Sequence, residues 1–221
     1  MSSVAKSRIV VLHLTKYAES SVVLHAIDAQ SGRRSFLVRG IKRGNAVAAF
    51  YPLSVLDVVS AESPKSSLAW LREWEPAAVL HDIRSNRVKS SVAMFVSEVL
   101  YRSFTTELAD PQFFDWLCGA IDVLDREDGS VANFPLWFLV SYAVQLGFMP
   151  GDPVEPQGIF TPAETDLLQK VLRSPFETAM AIPLSAERRQ AFSRKMLQYL
   201  SHHLGTNIDA KSLDVLHAVL A

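Results

Sequence analysis

The chain has 221 residues, 49% hydrophobic and 20% charged, with a net charge of −1 and one cysteine. That length fits one large domain or two small ones with a true core, while a lone Cys118 excludes an intramolecular disulfide and a thiolate-cage zinc site. No apolar run approaches the ~20 residues of a membrane-spanning helix, and residues 1–6 lack the apolar core of a signal peptide, so a cytoplasmic protein is expected.

The first third predicts strands. Residues 8–15 (RIVVLHLT) and 21–29 (SVVLHAIDA) are β-branched and apolar, and a polar turn joins them. Residues 30–33 read as a hairpin loop with Gly32 at the positive-φ position. A third strand spans 34–41, a fourth 50–59, where Pro52 demands an edge or a bulge, and a fifth 68–75. Five short strands in about 75 residues, with no helix between most of them, predict a small closed or half-closed barrel.

Near Ser85 and Asn86, both candidate caps, the apolar period becomes helical. Helices are predicted from there to about Phe104, from Asp110-Pro111 to about residue 128, and from about Val131 to Leu146. The last is apolar on most faces and so belongs at the centre of a bundle. Residues 148–162 hold four prolines and two glycines and form an irregular connector. Thr161-Pro162-Ala163-Glu164 is a capping-box start, followed by helices to about Leu172, over 186–203 and from about Asp209. The expected fold class is α+β: a five-stranded barrel over residues 1–80, then an all-α domain over 81–221.

Charge is unevenly spread. Residues 1–89 carry 13 Lys/Arg and 7 Asp/Glu, and residues 90–221 carry 9 and 16, so a polyanion is expected to meet only the front. Residues 31–44 (SGRRSFLVRGIKRG) concentrate Arg33, Arg34, Arg39, Lys42 and Arg43 between glycines. Such a strand suits a phosphate backbone, and it equally suits a solvated edge strand protected by its cations.

Order and spacing of several short motifs bear on this choice. Residues 13–21 (HLTKYAESS), Gly32-Arg33, 37–40 (LVRG), 95–101 (FVSEVLY), Tyr199, His203-Leu204 and 211–216 (KSLDVL) together resemble the bacterial recombination mediator family RecO over essentially the whole chain. The resemblance implies an oligonucleotide/oligosaccharide-binding (OB) barrel followed by a helical domain. It implies binding of single- and double-stranded DNA, strand annealing, recombinase loading on DNA coated by single-strand-binding protein, and a nucleoid-associated location. Its implied partners are RecR and the acidic C-terminal tail of single-strand-binding protein. Many members carry a four-cysteine zinc finger after the third helix. Here that place contains no cysteine, so the chain resembles the subgroup without metal, and no cofactor is expected.

Single-strand binding requires cations along a groove and exposed aromatic faces. The cation candidates are Lys6, Arg8, Lys16, Arg33, Arg34, Arg39, Lys42 and Arg43. The aromatic candidates are Tyr17, Phe36, Tyr51 and Trp70, with Tyr17 the best placed and Phe36 more consistent with the core. An acidic tail ending in an apolar residue needs an apolar pocket rimmed by cations, for which Lys170, Arg173, Arg188, Arg189, Arg194 and Lys195 are the candidates. His13 and His25 read as structural. His202-His203 lacks a third ligand, Asp122, Asp125, Glu127 and Asp128 read as an acidic helix end, and Cys118 reads as a buried thiol. No phosphate loop, nucleophile elbow or metal-spaced cluster is present, so a non-enzymatic role is expected. The alternatives are a scaffold whose barrel binds protein and an enzyme with a site between barrel and bundle, for which no catalytic groups are evident.

Overall fold

A computed structural model describes residues 4–40, 48–62, 68–150 and 159–220. Strands β1 (Val4–Ala18), β2 (Ser21–Asp28), β3 (Gly32–Arg39), β4 (Val55–Ala61) and β5 (Ala69–Pro76) close into a barrel in the order β1-β2-β3-β5-β4. The first strand, 15 residues long, pairs antiparallel with β4 from Val4↔Ala61 to Val10↔Val55 and with β2 from Ile9↔Asp28 to Ala18↔Ser21. Register shifts at Val11/His13 and Lys16/Ala18 let it bend between these neighbours. Closure is completed by a short parallel contact, Phe36↔Ala69 and Leu37↔Trp70.

Period-2 alternation sends one face of each strand inward. Ile9, Val11, Leu24, Ala26, Phe36, Val38, Leu56, Val58, Ala69 and Leu71 form the barrel core. Phe36 is fully buried, as its parity with Val38 predicts. The fourth strand starts at Val55 rather than at residue 50. Phe50 instead joins the core, and the backbone turns at Leu53, whose φ is +64°. That turn is fastened by hydrogen bonds from Leu53 N–H to Val11 O and from Val11 N–H to Ser54 O, each 2.9 Å. The first strand exceeds its apolar run of 8–15 because backbone pairing, not side-chain burial, defines its exposed ends.

Among the described residues eight helices follow: α1 (Asp82–Ser85), α2 (Arg87–Ser103), α3 (Pro111–Arg126), α4 (Phe134–Gln145), α5 (Pro162–Arg173), α6 (Phe176–Met180), α7 (Ala186–Leu204) and α8 (Ser212–Leu220). The chain divides into two compact units. One comprises Met1–His81 with Phe104–Val123, the other Asp82–Ser103 with Leu124–Ala221.

In the helical unit α4 is buried on most faces and packs against α2, α5, α6 and α7, the central place its apolar sequence predicts. The helix starts follow their capping residues. Asn86 Oδ1 accepts from Val88 N–H and Lys89 N–H, Thr161 and Glu164 form a capping box, and Ser185 accepts from Arg188 N–H. Lys89 is only 3% exposed. Its Nζ donates to the Asp82 carboxylate and to Asp125 O, both at 2.7 Å, while Asp125 Oδ1 accepts from the N–H groups of Asp82 and Ile83. A buried ammonium is tolerable only when satisfied in this way.

Gly32 opens β3 with φ +68°, and a Cβ there would overlap the carbonyl oxygens of Thr106 and Leu108. Gly40 has a similar φ of +73° but open space around it. Gly32→Ala should therefore lower stability by more than about 1 kcal/mol, and by more than Gly40→Ala, in paired urea titrations.

Candidate nucleic-acid interface

Four exposed groups lie toward one rim of the barrel, Tyr17, Arg39 and Trp70 among them, with Lys16 on the core-face parity but exposed at the strand's open end. The register aligns Ala18 with Ser21 and Ser21 with Arg39, which brings the end of β1 beside the ends of β2 and β3. Lys16 is exposed and Tyr17 is 63% exposed, both at the second β1 irregularity. Arg39 lies two residues beyond Leu37, the register partner of Trp70, and its guanidinium carbon sits 4.5 Å from the Trp70 ring centroid. Trp70 is 43% exposed, whereas its neighbours Ala69 and Leu71 face the core. Two cations and two exposed aromatic faces on one rim form the arrangement that single-strand binding uses.

The other described cation candidates lie elsewhere. Arg33 is six residues from Arg39 along β3, about 20 Å away at a strand's rise, and its backbone N–H donates to Thr106 O at 2.7 Å. Arg34 turns inward and closes one barrel end. Its guanidinium lies 5.1 Å from the Phe36 ring centroid and pairs with Glu62 at 2.6 Å and with buried Asp28 at 3.8 Å. Asp28 also accepts from Ser7 Oγ at 2.7 Å and Gln30 N–H at 2.8 Å. Lys42 and Arg43 lie outside the described residues. Of the aromatic candidates, Phe36 is core and Tyr51 is half-buried.

Lys6 and Arg8 line a separate groove of about 750 Å³ whose other charged walls are Asp57, Glu73, Glu75 and Asp115. Arg8 is clamped by Asp57 in a two-pronged pair, Nε to Oδ1 at 2.8 Å and Nη2 to Oδ2 at 3.0 Å. The pair raises the Arg8 pKa and lowers that of Asp57. Both side chains are solvent-exposed, so the net stabilisation is small. With four acids against two bases, this groove repels a phosphate backbone.

Residues 1–80 match the family description "Recombination protein O N terminal", and residues 84–151 match "Recombination protein O C terminal". A DNA repair protein RecO of Porphyromonas gingivalis is 31% identical over 95% of this chain and 96% of its own. The RecO protein of Flavobacterium psychrophilum is 29% identical over 98% and 99%, and that of Bacteroides fragilis is 30% identical over 94% and 95%. The chain belongs to the RecO family of DNA repair proteins. The OB barrel followed by helices that the family resemblance implied is the fold observed.

In the helical unit of this RecO-family chain, the six candidate cations divide evenly. Lys195 pairs with Glu164 at 2.7 Å and Arg194 with Asp214 at 2.5 Å, while Arg189 donates to Leu184 O at 2.6 Å and Leu220 O at 3.1 Å. Lys170, Arg173 and Arg188 are exposed, with no ion pair among the described residues. A small apolar hollow of about 20 Å³, walled by Pro135, Leu136, Leu213, Leu216 and Leu220, has Arg189 at its edge. Cys118 is half-buried, and burial pushes its thiol up to about 11. It is therefore a neutral thiol at neutral pH. Among the described residues no group of three His, Cys, Asp or Glu could hold a metal, and no helix is long and apolar enough to cross a membrane.

The outer face of the barrel holds one arrangement that sequence reasoning did not find. His25 is hydrogen-bonded to Thr15 Oγ1 at 3.1 Å through Nε2 and to Ser35 Oγ at 2.8 Å through Nδ1, and it stacks on His13. Burial, Arg33 and His13 together lower its pKa to about 4. The unfolded imidazole titrates near 6.5, so between pH 6.5 and 4 the unfolded chain takes up a proton that the folded barrel refuses. Stability should thus be greatest above pH 6.5 and fall as pH drops toward 4. Melting curves over pH 7 to 4 should show a shallower loss for His25→Gln than for the wild type.

Proposed function

We propose that this RecO-family protein is a DNA repair and recombination mediator. The barrel rim of Lys16, Tyr17, Arg39 and Trp70 holds DNA, and the helical unit meets protein partners. The convergence of these four groups on one rim, while the large groove is lined by acids, is the observation that carries this reading. The protein binds single- and double-stranded DNA, brings complementary strands together and helps recombinase load where single-strand-binding protein covers the DNA. None of this makes or breaks a covalent bond, so the role is non-enzymatic. Annealing requires only that two anionic backbones be held close with their charge offset. Contacts of this kind carry little sequence information and weaken steeply with salt.

RecR and the acidic tail of single-strand-binding protein are the proposed partners. The acid-lined groove is unsuited to DNA and leaves that barrel face to protein. On the helical unit, exposed Lys170, Arg173 and Arg188, with Arg189 at the edge of an apolar hollow, match the chemistry of an acidic peptide with an apolar end.

Fluorescence anisotropy with labelled oligo-dT across a salt series tests the DNA reading. Log affinity should fall linearly with log salt, and Lys16→Ala with Arg39→Ala should make the slope shallower by about 1.4, near 0.7 per lost contact. A flat, salt-independent signal would favour the scaffold alternative. For the tail site, Lys170→Glu with Arg188→Glu should weaken capture of an acidic peptide ending in an apolar residue by about tenfold, a loss of about 1.4 kcal/mol, and leave oligo-dT binding unchanged.

A further inference from the structure

We infer that Trp70, layered with Arg39, is a nucleobase-stacking site that makes the barrel rim prefer single-stranded over duplex DNA. This rests on the DNA-binding role proposed above and specifies what that rim recognises. A tryptophan on a strand normally hides its large apolar surface, yet 43% of Trp70 is open to solvent on the outer face. Trp70 is in register with Leu37 of β3 on one side and with Ala61 of β4 on the other, so the indole is fixed to a paired strand at its attachment point.

Arg39 sets this cation apart from the others. Arg8 is held by Asp57 and Arg34 by Glu62 and Asp28. Among the described residues no carboxylate pairs with Arg39, whose guanidinium lies 4.5 Å from the indole centroid instead. A planar guanidinium over an indole is a cation–π pair whose charge remains available to a phosphate. Bases stack on aromatic rings and on guanidinium planes alike, so ring and guanidinium form one platform beside a phosphate contact. Tyr17, 63% exposed at the end of β1, offers a second aromatic face on the same rim.

Strand preference follows from where the bases are. In a duplex each base face is already covered by its stacked neighbours, so Arg39 contributes through the phosphates but Trp70 finds no face to stack on. In a single strand the bases are free to stack on the indole. Stacking of this kind tolerates any base sequence.

Anisotropy titrations of the full chain against labelled dT, an abasic deoxyribose-phosphate oligomer of equal length and a blunt duplex test this site. Trp70→Leu keeps apolar bulk over the strand and removes the π face, and a melting curve checks that it folds. It should weaken dT binding by about tenfold and leave abasic and duplex binding within about twofold, while Trp70→Phe restores most of the dT affinity. In addition, dT should quench wild-type indole emission, and Trp70→Phe should lose most of that quench. This readout holds even if the leucine variant unfolds. An equal loss on all three ligands, no loss on dT, or an unchanged quench in Trp70→Phe overturns the stacking site and leaves the DNA-binding role standing. A wild-type chain that binds none of the three overturns the role itself.

Discussion

The barrel depends on one strand serving two neighbours. β1 must pair with β4 along its first part and with β2 along its second, because five strands close into a cylinder only when the register staggers around it. No short strand can meet both demands. The 15 residues of β1 bend through two irregularities, and the second of these, at Lys16/Ala18, lies where Lys16 and Tyr17 project. The feature that closes the barrel is thus also the one that sets side chains on its rim.

Register also sorts the cations. Arg8 and Asp57 are 49 residues apart in sequence and directly opposite in the β1–β4 ladder, so their pairing is built into the sheet. Arg34 shares inward parity with Phe36 and is drawn over that ring toward Asp28 and Glu62. Arg39, on the outward parity, meets an indole instead. Three arginines of the basic front half therefore differ in what their charge can reach.

Much of this architecture is legible in the sequence. Five strand-like runs, the glycine at the β2–β3 turn, the Thr161 capping box and the all-round apolar α4 correspond to elements of the fold. What escapes a linear reading depends on partners distant in the chain. Residues 50–54 look like strand yet form a turn, because Leu53 and Ser54 bond to Val11. The short helices α1 and α6 have too few residues to show a period. By sequence parity His13 belongs to an apolar face, but the irregularity after Val11 changes that parity and leaves it exposed and stacked on His25. The rim candidates Tyr17, Arg39 and Trp70 are each visible as residues. That Arg39 and Trp70 touch is a fact of the β3–β5 register alone.

The way the chain threads its two units has a practical corollary. The barrel unit is discontinuous: Met1–His81 is completed by Phe104–Val123, and the polypeptide passes from one unit to the other at residues 81–82, 103–104 and 123–124. The Arg33 N–H is satisfied by Thr106 O, from that second segment. A fragment cut after the last strand would lack this acceptor and the packing of Phe104 on Phe113. Isolating the barrel as an independent piece thus calls for grafting the later segment back by a designed linker, and limited proteolysis at a single bond will not release it intact.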